Sequence, residues 1–170
     1  LVLRTLGMSA TQLGVLLSAG ALGGILGALT RSAWITPLGI GRTIVATNIL
    51  GVAILALQPA AIHIPAWATW AIAASGIISS YFLTVYNVTQ MSLRQEICPP
   101  HMLGRMNPIF RFAVWGVMPL GSLASGVVAA RVGVEAAMYA FIALAIGAGI
   151  AMAFTPAARL PGASADSAVP

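Results

Sequence analysis

Eight arginines, no lysine and three acidic residues in 170 give a net charge of +5, while 59% of the residues are hydrophobic, 6% are charged and the mean hydropathy is +0.98. So little polar surface excludes a soluble globule and leaves a lipid bilayer as the solvent. Basicity of this kind in a soluble protein would suit nucleic acid, but these arginines form neither a cluster nor a continuous face; they report membrane topology, and no nucleic-acid partner is expected.

Five apolar stretches follow one another at about 12–30, 43–59, 66–86, 109–130 and 134–154. Each is close to the ~20 residues that cross ~30 Å of hydrocarbon as a helix, and lipid offers no partner to an open backbone group, so the fold class is all-α, a polytopic transmembrane helix bundle. Arg31 and Arg42 flank the first connection, Arg94 and Arg105 the third, and Arg159 follows the last stretch; the second connection has no charged side chain and the fourth has Arg131 alone. The positive-inside rule then puts the first residue outside and the C-terminus in the cytoplasm of a multi-pass plasma-membrane protein. The chain opens Leu-Val-Leu-Arg without an initiator methionine, and five spans beginning outside imply at least one more upstream, so a fragment is expected.

Ser9 with Gln12 fits a capping box for the first helix. Gly20, Gly23, Gly24 and Gly27 then form two interleaved GxxxG pairs on adjacent strips, a surface that lets another backbone come close. Pro37, Gly39 and Gly41 predict a short turn over 36–42. The second helix, with Asn48 its main polar exception, and the fifth, apolar apart from Tyr139, both read as lipid-facing.

The third helix starts after Pro65 and extends to about Ile97, roughly 48 Å at 1.5 Å per residue, longer than the hydrocarbon is thick. Ser80, Thr84, Asn87 and Arg94 recur along it at offsets of four, three and seven, with Gln90 three beyond Asn87, so they share one face. Two accounts compete: a polar stripe lining a cavity, favoured for Ser80, Thr84 and Asn87, or a solvated helix end, favoured for Gln90, Arg94, Gln95 and Glu96. An inner loop follows, with Cys98, Gly104 and Arg105. The fourth helix carries Arg111, Trp115, Pro119 and Gly121, then Ser122 and Gly126 as a further small-residue pair. Pro119 predicts a bend. Arg111 lies near the inner end, where snorkelling to headgroups competes with contact to an anionic substrate or a gate residue. After Phe154 the tail, 157–170, reads as disordered and cytoplasmic, which leaves 1–156 as the membrane bundle.

Chemistry-bearing residues are sparse. Cys98 has no partner for a disulfide or a metal site, His63 and His101 fall in connections, and Glu96, Glu135 and Asp166 lie outside the spans. No metal, cofactor or enzymatic activity is expected, because there is no His/Asp/Glu cluster, no nucleophile beside a base and no phosphate loop. No carboxylate or histidine suited to a buried proton relay falls within the spans.

Residues 80–133 carry a resemblance: Asn87-Val88-Thr89-Gln90-Met91-Ser92-Leu93-Arg94-Gln95, then Pro99, Leu103-Gly104-Arg105, Arg111-Phe112, Trp115-Gly116 and Pro119-Leu120-Gly121. They resemble the tenth helix, inner loop and eleventh helix of a major facilitator superfamily exporter, of the branch that includes the enterobactin exporter and macrolide efflux pumps. The run from Gly20 to Arg42, ending Leu38-Gly39-Ile40-Gly41-Arg42-Thr43, resembles the eighth helix and the loop after it, although no Asp or Glu occurs there to serve the charge relay ascribed to that loop.

The resemblance implies helices eight to twelve of twelve, with the lipid bilayer, a small-molecule substrate and the missing N-terminal half as partners. It implies a secondary transporter effluxing a small amphipathic molecule, of drug or siderophore type, by alternating access. Ser80, Thr84, Asn87 and Gln90 would line the substrate cavity; Arg94, Gly104, Arg105, Arg111, Pro119 and Gly121 would serve the inner loop and gate. The alternative is a non-transporting membrane protein or an inactive remnant of a transporter; an intact first half would separate them.

Overall fold

The computed structural model describes residues 10–61, 65–98 and 100–155. Among them every element is helical: α1 (Ala10–Ala53), a 3-10 turn (Ile54–Ala56), α2 (Leu57–Ala60), α3 (Pro65–Ile97), α4 (Pro100–Val132) and α5 (Val134–Ala153). Ser9, His63, Pro99, Arg159 and the tail 157–170 fall outside the described residues, as do the side chains of Gln12, His101 and Arg105, so the capping box and the tail are not addressed. Four segments are long and apolar enough to cross a membrane: Ser18–Ala60, Trp67–Ile97, Pro108–Val132 and Val134–Ala153. The first contains two of the five predicted stretches.

Those two are arms of one hairpin. Gly39 has φ 77° and ψ 168°, a backbone state that side-chain-bearing residues rarely adopt, and it reverses the chain inside α1. The Thr43 hydroxyl lies 2.7 Å from the Gly39 carbonyl and 3.1 Å from that of Trp34, nine residues back, its single proton shared between them. In a straight helix that separation would be about 13 Å. Likewise Gly27 and Gly51, equally far on either side of Gly39, both lie beside residues 79–84 of α3. The turn predicted over 36–42 is therefore tighter than expected: helix continues on both sides, and one glycine makes the reversal.

The first arm meets α3 through the four predicted glycines, two ridges in a common register of four. A Cβ on Gly23 would overlap the Ile77 carbonyl oxygen, and one on Gly27 the Tyr81 carbonyl oxygen. On the adjacent strip Gly20 faces Ser80 and Gly24 faces Thr84, whose hydroxyl oxygens would lie 3.3 and 3.2 Å from added Cβ atoms. Both registers advance in the same direction, so the first arm runs parallel to α3. Backbones this close gain dispersion contacts and Cα–H···O contacts that larger side chains would forbid.

A hydrogen-bonded chain ties the same two helices together farther along. Thr30 gives its proton to the Leu26 carbonyl (2.7 Å), so Tyr81 donates to Thr30 Oγ1 (2.8 Å), and Trp34 Nε1 donates to Tyr81 Oη (2.8 Å). The rings of Trp34 and Tyr81 both stand edge-on to Phe82, with centroids 5.7 and 5.2 Å away.

The second arm differs from expectation. Its apolar character predicts a lipid-facing helix, yet Ile40, Thr43, Ile44, Val45 and Thr47 on it are buried. Its position explains this: it returns beside the first arm, Gly51 meets Phe82 and Ser79 of α3, and Gly149 of α5 fits against Asn48 and Ile49. The buried hydroxyls cost little, since Thr47 donates to Thr43 O (2.7 Å), Ser75 to Ile72 O (2.9 Å) and Thr89 to Val85 O (2.6 Å). Where Pro59 has no N–H to offer the Leu55 carbonyl, the arm tightens into the 3-10 turn.

The third connection is shorter than predicted. Only Cys98 and Pro99 separate α3 from α4, and Gly104 and Arg105, expected in a loop, belong to the first turns of α4. Pro100 is compatible with a helix start, and one exposed Gly104 costs a helix only about 1 kcal/mol, so neither stops it. Helix α4 continues through Pro108 and Pro119, ends at Gly133 (φ 87°), and α5 begins at the next residue, as predicted.

Adding a methyl group at Gly23 or Gly27 must push α1 from α3. Gly23→Ala and Gly27→Ala are each expected to lose about 1–3 kcal/mol, seen as a lower unfolding midpoint in detergent. Gly14→Ala, where an added Cβ meets nothing within 4 Å, serves as the neutral comparison.

Candidate functional site

Polar side chains on α3 divide between two neighbours. Ser80 and Thr84 face the glycines of α1, as described, and Gly24 approaches Thr84 too closely for solute to pass. They form part of a helix contact instead of a cavity wall. Asn87, Gln90 and Arg94 turn toward α4, where they meet Phe110, Arg111, Val114 and Trp115 around an open cleft of about 480 Å³. The stripe seen in the sequence thus runs from a packed seam into a cleft, because its offsets of four and three drift slowly around the helix.

Gln90 organises the α3 wall. Its amide donates to Tyr86 Oη at 2.6 Å, one turn back, while Arg94 reaches it from one turn ahead, through Nη2 to Oε1 at 3.5 Å and Nε to the Gln90 carbonyl at 3.4 Å. The Arg94 guanidinium then lies over the Phe110 ring, 4.0 Å from its centroid, bridging α3 to α4. On α4 itself Arg111 sits over Trp115, one turn on, with its Cζ 5.5 Å from the ring. Both cations are held by aromatic faces, and no carboxylate lines the cleft.

Other predicted site residues lie elsewhere. Gly104 is exposed near the start of α4, with nothing within 4 Å of an added Cβ, and the same holds for Gly121. Pro119 is an exposed position inside α4; lacking an N–H, it leaves the Trp115 carbonyl without its helical partner. The Arg105 side chain is not described. Neither Gly121 nor Pro119 contributes to the cleft.

Sequence reading missed Tyr86, Met91, Phe110 and Val114 as cleft residues. Tyr86 was within reach, since it precedes Gln90 by one turn and an amide beside a phenol is a ready pair. Phe110 was not, because which faces of α3 and α4 meet depends on how the chain is directed after Ile97, which no periodicity encodes.

Other clefts occur among the described residues. One, of similar volume, lies between the first arm of α1 and the end of α3 and includes Arg31, Ser32 and Glu96. Another, about 430 Å³, is almost wholly apolar and lies where Leu55 and Gln58 approach α4 and α5 near Gly126 and Phe141. Among the described residues no group of three or more metal-ligating side chains occurs.

A double-mutant cycle of Arg94→Gln and Phe110→Leu isolates the bridge between the helices. The coupling is expected at about 0.5–2 kcal/mol in detergent-solubilised protein, from unfolding midpoints; strict additivity would remove the cation–π bridge.

No family profile, no curated protein and no solved structure matches this chain.

Proposed function

We propose that this chain is part of a secondary transporter of the major facilitator type that carries a small amphipathic molecule outward by alternating access. One observation carries the reading: a cleft with two amides, a phenol and two guanidinium groups is set among helices long and apolar enough to cross a membrane. Groups so costly to bring near lipid mark solute pathways in membrane proteins.

Two further features support it. The resemblance of residues 80–133 to the tenth and eleventh helices of such exporters falls on the two helices that form the cleft. The parallel course of α1's first arm and α3, with the second arm returning beside both, suits three successive crossings. In this reading Asn87 and Gln90 contact solute, Arg94 and Arg111 border the inner mouth, and the bilayer and the other half of the transporter cover the exposed face of α4. The chemistry is non-covalent throughout.

Orientation is tested by single cysteines at Arg42 and Ala60 in a Cys98→Ala background. Labelling with a membrane-impermeant maleimide is expected from the cytoplasmic side for the first and the external side for the second; labelling of both from one side ends the membrane arrangement. Activity is tested with the protein containing this chain reconstituted in vesicles. Asn87→Ala is expected to weaken uptake of an amphipathic fluorescent dye about 3- to 10-fold, as befits loss of one solute hydrogen bond. No dye movement above protein-free vesicles by the unsubstituted protein would end the transport reading.

A further inference from the structure

The charge balance of the α3–α4 cleft is one-sided, and this identifies its ligand. Arg94 and Arg111 both line it, while its other polar groups, Asn87, Gln90 and the Tyr86 phenol, are neutral. The nearest carboxylate along α3, Glu96, is only two residues from Arg94, yet it turns away and lines the separate cleft that includes Arg31. The contacts described for the two arginines are with Gln90, Phe110 and Trp115. What holds them instead are ring faces, Phe110 under Arg94 and Trp115 under Arg111, which attract a cation without neutralising it.

From this geometry, and resting on the transport reading for the role of the site, we infer that the cleft binds an amphipathic organic anion: an aromatic ring bearing one carboxylate. Each part of the ligand has its counterpart. The guanidinium groups keep donors free after their ring contacts, and a guanidinium presents a planar fork that matches a carboxylate in two-point fashion. Phe110 and Trp115 provide apolar ring surface beside those forks. Gln90, besides lining the cleft, is engaged with Tyr86 and Arg94 and so holds the Arg94 head in place. A volume of about 480 Å³ lies within the range of small-molecule sites, ~300–1,000 Å³. A cationic amphiphile would meet two like charges with nothing to offset them.

The test uses the protein containing this chain in phosphatidylcholine nanodiscs, with binding of naphthalene-2-carboxylate and its neutral isostere naphthalene-2-carboxamide measured by equilibrium dialysis. The carboxylate is expected to bind about tenfold or more tightly than the amide, the preference falling about threefold in Arg94→Gln and in Arg111→Gln and vanishing in the double variant. Arg94→Lys, which keeps the charge and loses the fork, should retain an intermediate preference, and Arg131→Gln, in the last turn of α4, should behave as the unsubstituted protein. An unchanged unfolding midpoint shows that each variant is folded; if a glutamine variant fails this check, Arg94→Lys and the carboxamide comparison carry the test.

Equal affinity for acid and amide overturns the inference. So does a preference that disappears when phosphatidylglycerol replaces phosphatidylcholine, since the arginines would then be serving lipid phosphate. Dye transport is measured on the same proteins reconstituted in phosphatidylcholine vesicles. Anion preference without transport removes the transport reading and leaves the site; transport without anion preference does the reverse.

Discussion

Backbone-to-backbone approach between the first arm of α1 and α3 is the constraint on which the remaining architecture rests. Gly23 and Gly27 lie against the carbonyls of Ile77 and Tyr81 with no room for a methyl group. In lipid the hydrophobic effect does not drive helices together, because acyl chains are as apolar as leucine; close packing and polar links between helices must do so. Here both are present. The glycine ridges set the register, and the Trp34–Tyr81–Thr30 chain pins it one turn beyond. Since the second arm is joined to the first by the single residue Gly39, this register also decides where Ile44 and Val45 are buried and where α5 finds its seat against Asn48 and Ile49.

Against that packed set, α4 stands apart. Its apolar side chains are almost all exposed, Phe112 at 82% and Leu123 at 68%, and it touches α3 chiefly through the Arg94–Phe110 contact. Exposed apolar surface of this extent needs a cover, which a bilayer supplies without any specific partner. The two helices that form the cleft are therefore held by quite different means: α3 by dense packing on its α1 side, α4 by its connections and by one ring and one guanidinium. A site between a fixed wall and a loosely held one can change width without disturbing the packed seam.

Much of this was legible in the residues. The four glycines of α1, with nothing but apolar neighbours, announced a close helix contact, and Pro65 and the apolar stretch from Val134 marked the starts of α3 and α5. The length of α3 followed from uninterrupted helix formers. Misreadings came where one residue had to be weighed against its surroundings. Pro37 and Gly104 are helix breakers by propensity, yet helix is formed at both positions. Similarly, the second arm of α1 is apolar all round, a pattern that lipid exposure and burial among helices produce alike. Ser80 and Thr84 were grouped with Asn87 by periodicity alone, and only the position of α1 separates those that touch glycine from those that border the cleft.

The junction at Gly133 has a mechanical meaning. With φ at 87° and no loop on either side, it makes α4 a rod hinged on an anchored α5. Arg111 is 22 residues from that hinge, so at 1.5 Å per residue a swing of about ten degrees carries it through about 6 Å. A torsional adjustment at one glycine is thus geared up into an opening as wide as an aromatic ring, and the leverage grows toward the end of α4 that begins at Pro100.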